Sequence, residues 1–282
     1  MTTGGRIVGV AGIDPAFEKK RRDGKAFAFA GAIIMLALSG LLWAFSRNAM
    51  GDFKVVYYSA RTFLQHGNPY NEQDVLRVYQ AEGRERPDEI AENRAVFTRF
   101  IYMPPTFVVT LPIAAAGFTA GQFIWAALEA ASLLLAAWAV WDLSYKAAPL
   151  PAGGLIGLLL SGSFWMLMMG NSAAISVGLC IFGIWSFLRE RNIVAGVLCM
   201  AISLALKPHD AGPVWLFLLV TGPTLRRRAW QALFAAAAIG LPWLIYAQLF
   251  FCIGLNKCGT ISCFWVGLEE LPIQDLRALW VK

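Results

Sequence analysis

Charge is what this sequence has least of. Of its 282 residues, 15% are charged and 58% are apolar or aromatic, whereas soluble domains carry roughly a quarter charged residues. So little charge excludes a soluble globular enzyme, a secreted disulfide scaffold and a disordered chain. Histidine occurs twice and cysteine five times, with no CxxC pair and no Cys/His spacing suited to zinc. No metal and no cofactor is expected. HExxH, a Walker-type glycine loop and GxSxG are absent, and so is any paired set of transmembrane acids with transporter-like broken-helix symmetry. No internal repeat or low-complexity linker divides the chain. The net charge of +6 sits in short clusters beside apolar runs. That is how a membrane protein fixes its orientation, and it does not suggest nucleic acid as a partner.

Long apolar runs are what the chain has instead. Arg6, Lys19, Lys20, Arg21, Arg22 and Lys25 precede the 20-residue run 26–45, long enough to span a bilayer and longer than the core of a signal peptide. It reads as an uncleaved first span with a cytoplasmic N-terminus. A polar stretch, 46–100, holds eight basic and eight acidic residues. Further apolar runs follow at 101–116, 119–141, 152–169, 172–188, 193–206, 213–221 and 229–251. The expected organisation is a basic N-terminus (1–25), one membrane domain (26–251) that includes the outer loop 46–100, and a Cys-containing tail (252–282). The fold class is an all-α polytopic membrane protein.

Run 101–116 decides the parity. It carries Pro104, Pro105 and Pro112, which remove backbone donors and break a helix. If it dips in and returns, the short inner loops hold Lys146, Arg189, Arg191 and Arg226 to Arg228, and the short outer ones hold only Lys207, in line with the positive-inside tendency. Broken backbone at that depth is tolerated where it lines a cavity. Seven crossings result, and loop 46–100, turn 170–172 and turn 207–210 then share the outer face with the tail.

Several residues on that face have two readings. Asp52 stands where a helix is expected over 53–66, with Val56, Ala60, Phe63 and Leu64 on one face, lying in the interface and stopped by Gly67-Asn68-Pro69. Asp52 is then either an N-cap or a general base at the membrane surface. Lys54 and Arg61 are snorkelling cations or contacts to lipid head groups or a phosphate. Lys207 is a helix-end anchor or the charge that meets a phosphate. His209 reads as a solvated loop imidazole, and Asn171 as satisfying a tight turn. Glu129, near the middle of an apolar run, is bonded to a neighbouring helix or belongs to the site; the structural option is favoured. Cys180 and Cys199 read as small buried hydrophobes, and Cys252, Cys258 and Cys263 allow one disulfide in an oxidising compartment.

The string Gly51-Asp52-Phe53-Lys54-Val55-Val56-Tyr57-Tyr58-Ser59-Ala60-Arg61, followed by Gly67-Asn68-Pro69-Tyr70, resembles the first-loop pattern of glycosyltransferase family 87. Phe100-Ile101-Tyr102-Met103-Pro104-Pro105 with Leu111-Pro112, then Gly170-Asn171-Ser172, then Leu206-Lys207-Pro208 recur in the family's order, and the similarity runs over about 26–247. The resemblance implies a GT-C-type transmembrane helix bundle with a helical first extracytoplasmic loop, in a cell (inner) membrane. It implies transfer of a hexose, typically mannose, from a polyprenyl-phosphate donor to a lipid or glycan acceptor hydroxyl outside the cytoplasm. Asp52 maps onto the family's base. Lys207, with Arg61 and His209, would meet the donor phosphate, and Tyr102 and Asn171 would position substrate. Such a donor brings its own leaving group, so one base and cations near the departing phosphate suffice for a single inverting displacement. Family members continue past this length with further spans, and the tail does not align. A second expectation is therefore a non-catalytic lipid-binding or assembly protein derived from a truncated transferase.

Overall fold

The computed structural model describes residues 14–45, 50–82 and 104–254. Tyr102 and the tail cysteines 258 and 263 lie outside the described residues. The chain divides into two compact units, Met1–Trp243 and Leu244–Lys282, and all the geometry below belongs to the first.

The described residues are helical, with no strand among them. In order they form α1 (Pro15–Phe45), α2 (Gly51–Leu64), α3 (Glu72–Ala81), a 3-10 turn (Pro104–Thr106), α4 (Phe107–Ala115), α5 (Phe118–Ser144), α6 (Pro149–Gly162), α7 (Phe164–Met169), α8 (Ala173–Arg189), α9 (Ile193–Leu206), α10 (Pro208–Val220) and α11 (Pro223–Gly254). Among the described residues, α1, α5 and the combined Pro149–Met169 segment are long and apolar enough to cross a membrane, while α8 and α9 are apolar but shorter. Their outer faces expose large apolar side chains, among them Phe29, Leu158 and Phe123, in a density that water does not favour and lipid does. This is an all-α membrane protein. Of the seven crossings expected from the apolar runs, three have the length for it on their own among the described residues. Helix α4, with nine residues, rises about 14 Å against a hydrocarbon core of about 30 Å, so it cannot span alone.

Contacts along the helices fix their directions. On α1 and α6, Gly24 meets Pro149 and Gly153, and Gly31 meets Gly157; a Cβ on any of these four glycines would run into the partner's backbone. The two helices are therefore parallel and touch backbone to backbone, as small residues permit inside lipid, where burying apolar surface supplies little driving force. Further along, Ser39 Oγ donates to the Phe164 carbonyl at 3.3 Å. Helices α5 and α8 also run parallel to each other: Trp125 reaches Gly170, and Asp142 reaches Trp185 and Arg189. The hairpin α8–α9 is antiparallel, tied by the Ser176–Ser203 hydroxyl pair at 3.0 Å. One end of the bundle thus gathers the start of α1 with its cations, the end of α5 and the end of α8 with Arg189. The opposite end gathers α7, the start of α8 and the end of α9.

Three local expectations change. Asp52 is not the N-cap of α2: Met50 holds that position with a left-handed backbone (φ 62) and makes no side-chain cap, and Asp52 lies in the first turn. The Met50 N–H donates instead to the Met168 carbonyl at 2.7 Å, which pins the start of α2 to the end of α7. Second, α2 is not a surface helix with one wet face. Phe53, Val55, Val56, Tyr57, Tyr58, Ser59, Ala60 and Thr62 are all buried, because α3, α4 and α5 cover it from several sides. Its aromatics form a cluster, with Tyr57–Phe118 edge to face at 5.1 Å and 84° and Phe53–Trp125 tilted at 5.5 Å, and such pairs add to area burial. The left-handed residue after α2 is His66 (φ 63), and not Gly67. Third, the helix expected at 213–221 begins five residues earlier: Pro208 opens α10 at its first position, Pro213 lies inside it, and Lys207 caps it. Residues 208–210 are helix rather than loop.

Candidate active site

Asp52, Asn171 and Lys207 come from three segments separated by 119 and 36 residues, and they meet in one chain of hydrogen bonds. Asn171 Nδ2 donates to Asp52 Oδ2 at 2.8 Å. Lys207 Nζ donates to Asn171 Oδ1, also at 2.8 Å. The same Oδ1 accepts from the Ala173 N–H at 2.9 Å. All three side chains are half-buried, so they are screened from bulk solvent without being sealed.

Local structure accounts for each position. Asp52 faces the cluster because Met50 ties α2 to α7. Asn171 sits in the turn between α7 and α8, which Gly170 makes possible. Gly170 has φ +70, and a Cβ there would lie 2.8 Å from the Phe53 Cβ, so a side chain is excluded both by backbone conformation and by the close approach of α2. Lys207 is the single residue between α9 and α10; Pro208, lacking an N–H, starts the next helix where none is needed.

Beneath the turn lies a second set of contacts. The Trp125 indole Nε1–H is shared between Glu129 Oε1 and the Gly170 carbonyl, each at 3.0 Å. Trp125 and Glu129 are fully buried, and Glu129 Oε2 has no hydrogen-bond partner among the described residues. Glu129 is thus bonded within its own helix, to the same indole that holds the Gly170 carbonyl of the turn. A carboxylate in an apolar run was the signal for it. Trp125 carried none, being one of 11 tryptophans.

The electrostatics of Asp52 follow from this setting. Burial pushes its carboxyl above the ordinary carboxylate value, while the Lys207 ammonium and the Asn171 amide pull it partly back. A carboxylate with a raised pKa holds a proton more firmly once it has taken one, while the neighbouring cation favours its ionised form.

The other expected residues are placed differently. Arg61 stands nine residues beyond Asp52, about 14 Å along α2, and its Nε lies 3.3 Å from Glu82 Oε1. Tyr57 donates to the same oxygen at 3.3 Å. Arg61 therefore joins α2 to the end of α3 and is not part of the cluster. His209 is in the first turn of α10, 73% exposed, with Nε2 3.5 Å from Asp210 Oδ1. No group of three or more His, Cys, Asp or Glu side chains that could hold a metal occurs among the described residues. What the cluster offers is a carboxylate that can accept a proton and, one amide away, a cation that can face a developing negative charge.

A family model described as Glycosyltransferase family 87 matches residues 100–253, more than half of the chain. The matched span contains Trp125, Glu129, Asn171 and Lys207 and begins after Asp52. No curated protein and no solved structure matches the sequence. With a membrane-embedded helical bundle and the family match in hand, the chain belongs to glycosyltransferase family 87, a membrane glycosyltransferase that brings a sugar donor and an acceptor together.

Proposed function

We propose that the protein moves a hexose, mannose in the reading we favour, from a polyprenyl-phosphate donor to an acceptor hydroxyl on the extracytoplasmic side, with inversion at the anomeric carbon. The observation that supports this reading is the Asp52–Asn171–Lys207 chain of hydrogen bonds, in which a carboxylate and a cation share one short path. Asp52 takes the proton of the acceptor hydroxyl as that oxygen attacks the anomeric carbon. The bond to the phosphate oxygen breaks in the same displacement, and Lys207 faces the charge that builds on the departing polyprenyl phosphate. Asn171 positions both groups. A half-buried site strengthens these interactions relative to water. The sugar arrives already activated on a lipid, so the chain's own contribution is placement and proton transfer.

The experiment is transfer by the purified chain in a bilayer, with polyprenyl-phosphate mannose and a nucleotide-mannose offered separately. The expected result is product from the lipid-linked donor alone, with the anomeric configuration reversed. Transfer from the nucleotide sugar alone, or retention of configuration, would overturn the reading.

A further inference from the structure

At the end of the bundle opposite Asp52 there is a groove that sugar transfer does not use. It lies between α1, α5 and α6 and encloses about 500 Å³. Along α1 its lining passes from Arg21 and Lys25 to Ala28 and Ala32, one to three turns further into the apolar stretch. Helix α5 supplies Leu134 and Ala137 on the apolar side and Trp141 and Tyr145 at the charged end. A second cavity of about 580 Å³ shares Arg21 and Lys25 and adds Lys19 and Arg22, with Glu18 the one carboxylate among its lining residues. Cations, then aromatic rings, then an apolar trough is the order of a headgroup, an interface and an acyl chain.

The charge balance favours an anion. Lys25 is exposed and makes no ion pair among the described residues. Arg21 pairs with Glu18 at 2.8 Å, with both side chains more than a third exposed, so this pair is weak and exchangeable. The one carboxylate lining the main groove, Asp142, is already engaged by Arg189 Nε at 2.8 Å and Trp185 Nε1 at 2.9 Å. Lys25 is 20 residues from the end of α1, about 30 Å along the helix, and that far end packs on α7, next to the site. The cationic end of the groove is therefore about a bilayer's thickness from the end of α1 that packs beside the site, too far for its occupant's head group to be the group that reacts at Asp52.

We propose that this groove binds an anionic phospholipid, its phosphodiester between Arg21 and Lys25 and one acyl chain in the trough between α1 and α5. Basic pockets between membrane helices suit such head groups, and the inference stands apart from the assignment of Asp52.

The test is native mass spectrometry of the full chain released from detergent and titrated with phosphatidylglycerol or phosphatidylcholine bearing the same acyl chains. Retention of phosphatidylglycerol is expected to exceed that of phosphatidylcholine, and to fall roughly fivefold for each cation removed in Arg21→Ala and Lys25→Ala. Ala137→Trp, which fills the trough and leaves the cations, is expected to weaken retention of both lipids. Equal retention of the two lipids by the unaltered chain would overturn the proposal, as would an undiminished preference in the Arg21→Ala/Lys25→Ala double variant. Mole-for-mole displacement of phosphatidylglycerol by polyprenyl phosphate would also overturn it, by assigning the groove to the donor's lipid.

Discussion

The Asn171 side-chain amide is engaged at both ends. Its oxygen accepts from Lys207 and from the Ala173 N–H, and its nitrogen donates to Asp52. Turning the amide over would set N–H against an ammonium and a carbonyl against a carboxylate, so its orientation is dictated by the charges on either side. Removing Lys207 takes away one of the two influences that hold Asp52 below the value burial alone would give it. For a carboxylate acting as a base, activity is lost as pH falls through its pKa. Lys207→Met should therefore move the acid limb of the kcat/KM profile to higher pH, besides lowering the rate. A pH profile with an unmoved acid limb would show that Lys207 does not act on Asp52. Arg61→Ala is expected to behave otherwise. It breaks the pair with Glu82, which is partly exposed at 33% and 21% and so is worth about 1 kcal/mol or less. A small fall in melting temperature with the acid limb unchanged is the expected outcome in a thermal melt and pH profile.

At the scale of elements, the α1–α6 contact is the least forgiving. A Cβ on Gly157 would collide with the Phe27 carbonyl, whereas Gly154, one position round the helix from the contact, has open space around it. Gly157→Leu is expected to destabilise by about 1–3 kcal/mol or more, the range for overpacking, and Gly154→Leu to leave the melting temperature of the detergent-solubilised protein nearly unchanged. Equal melting of the two variants would remove backbone contact as the reason these helices pair. Turn 170–172 makes a catalytic counterpart. Gly170→Ala forces a side chain into the left-handed region and against Phe53, so turnover should fall through displacement of Asn171, with little change in KM. The sequence shows such features unevenly. Asp52, Asn171 and Lys207 are polar residues at the ends of apolar runs, and run ends are visible in composition. The N-cap role of Asp52 was misplaced because a capping preference cannot foresee that Met50 would be held left-handed by a bond to Met168. The burial of α2 was missed for a related reason: an amphipathic pattern reports one apolar face and is silent about α3, α4 and α5 closing over the others. The apolar run begins only at 213, but Pro208 already opens the helix among polar residues, and a proline within a membrane helix is tolerated.

Across the whole molecule, charge and chemistry separate along the bundle. Cations at the start of α1 and Arg189 at the end of α8 share one end, and the Asp52–Asn171–Lys207 cluster occupies the other. That division follows from the helix directions, which the glycine contacts and the Trp125, Asp142 and Ser176 bonds fix. It was legible in advance because loop charges alternate with the runs. Which helices lie side by side was not, since an apolar run has no face until a neighbour chooses one, and Trp125 came to light only with that neighbour in place. The most direct measurement is the rate of mannose transfer from polyprenyl-phosphate mannose by the purified chain, Asp52→Asn against unaltered. Loss of a general base should cost about 10²- to 10⁴-fold in rate with the melting temperature held. A folded Asp52→Asn protein that transfers at the unaltered rate would contradict the role given to Asp52.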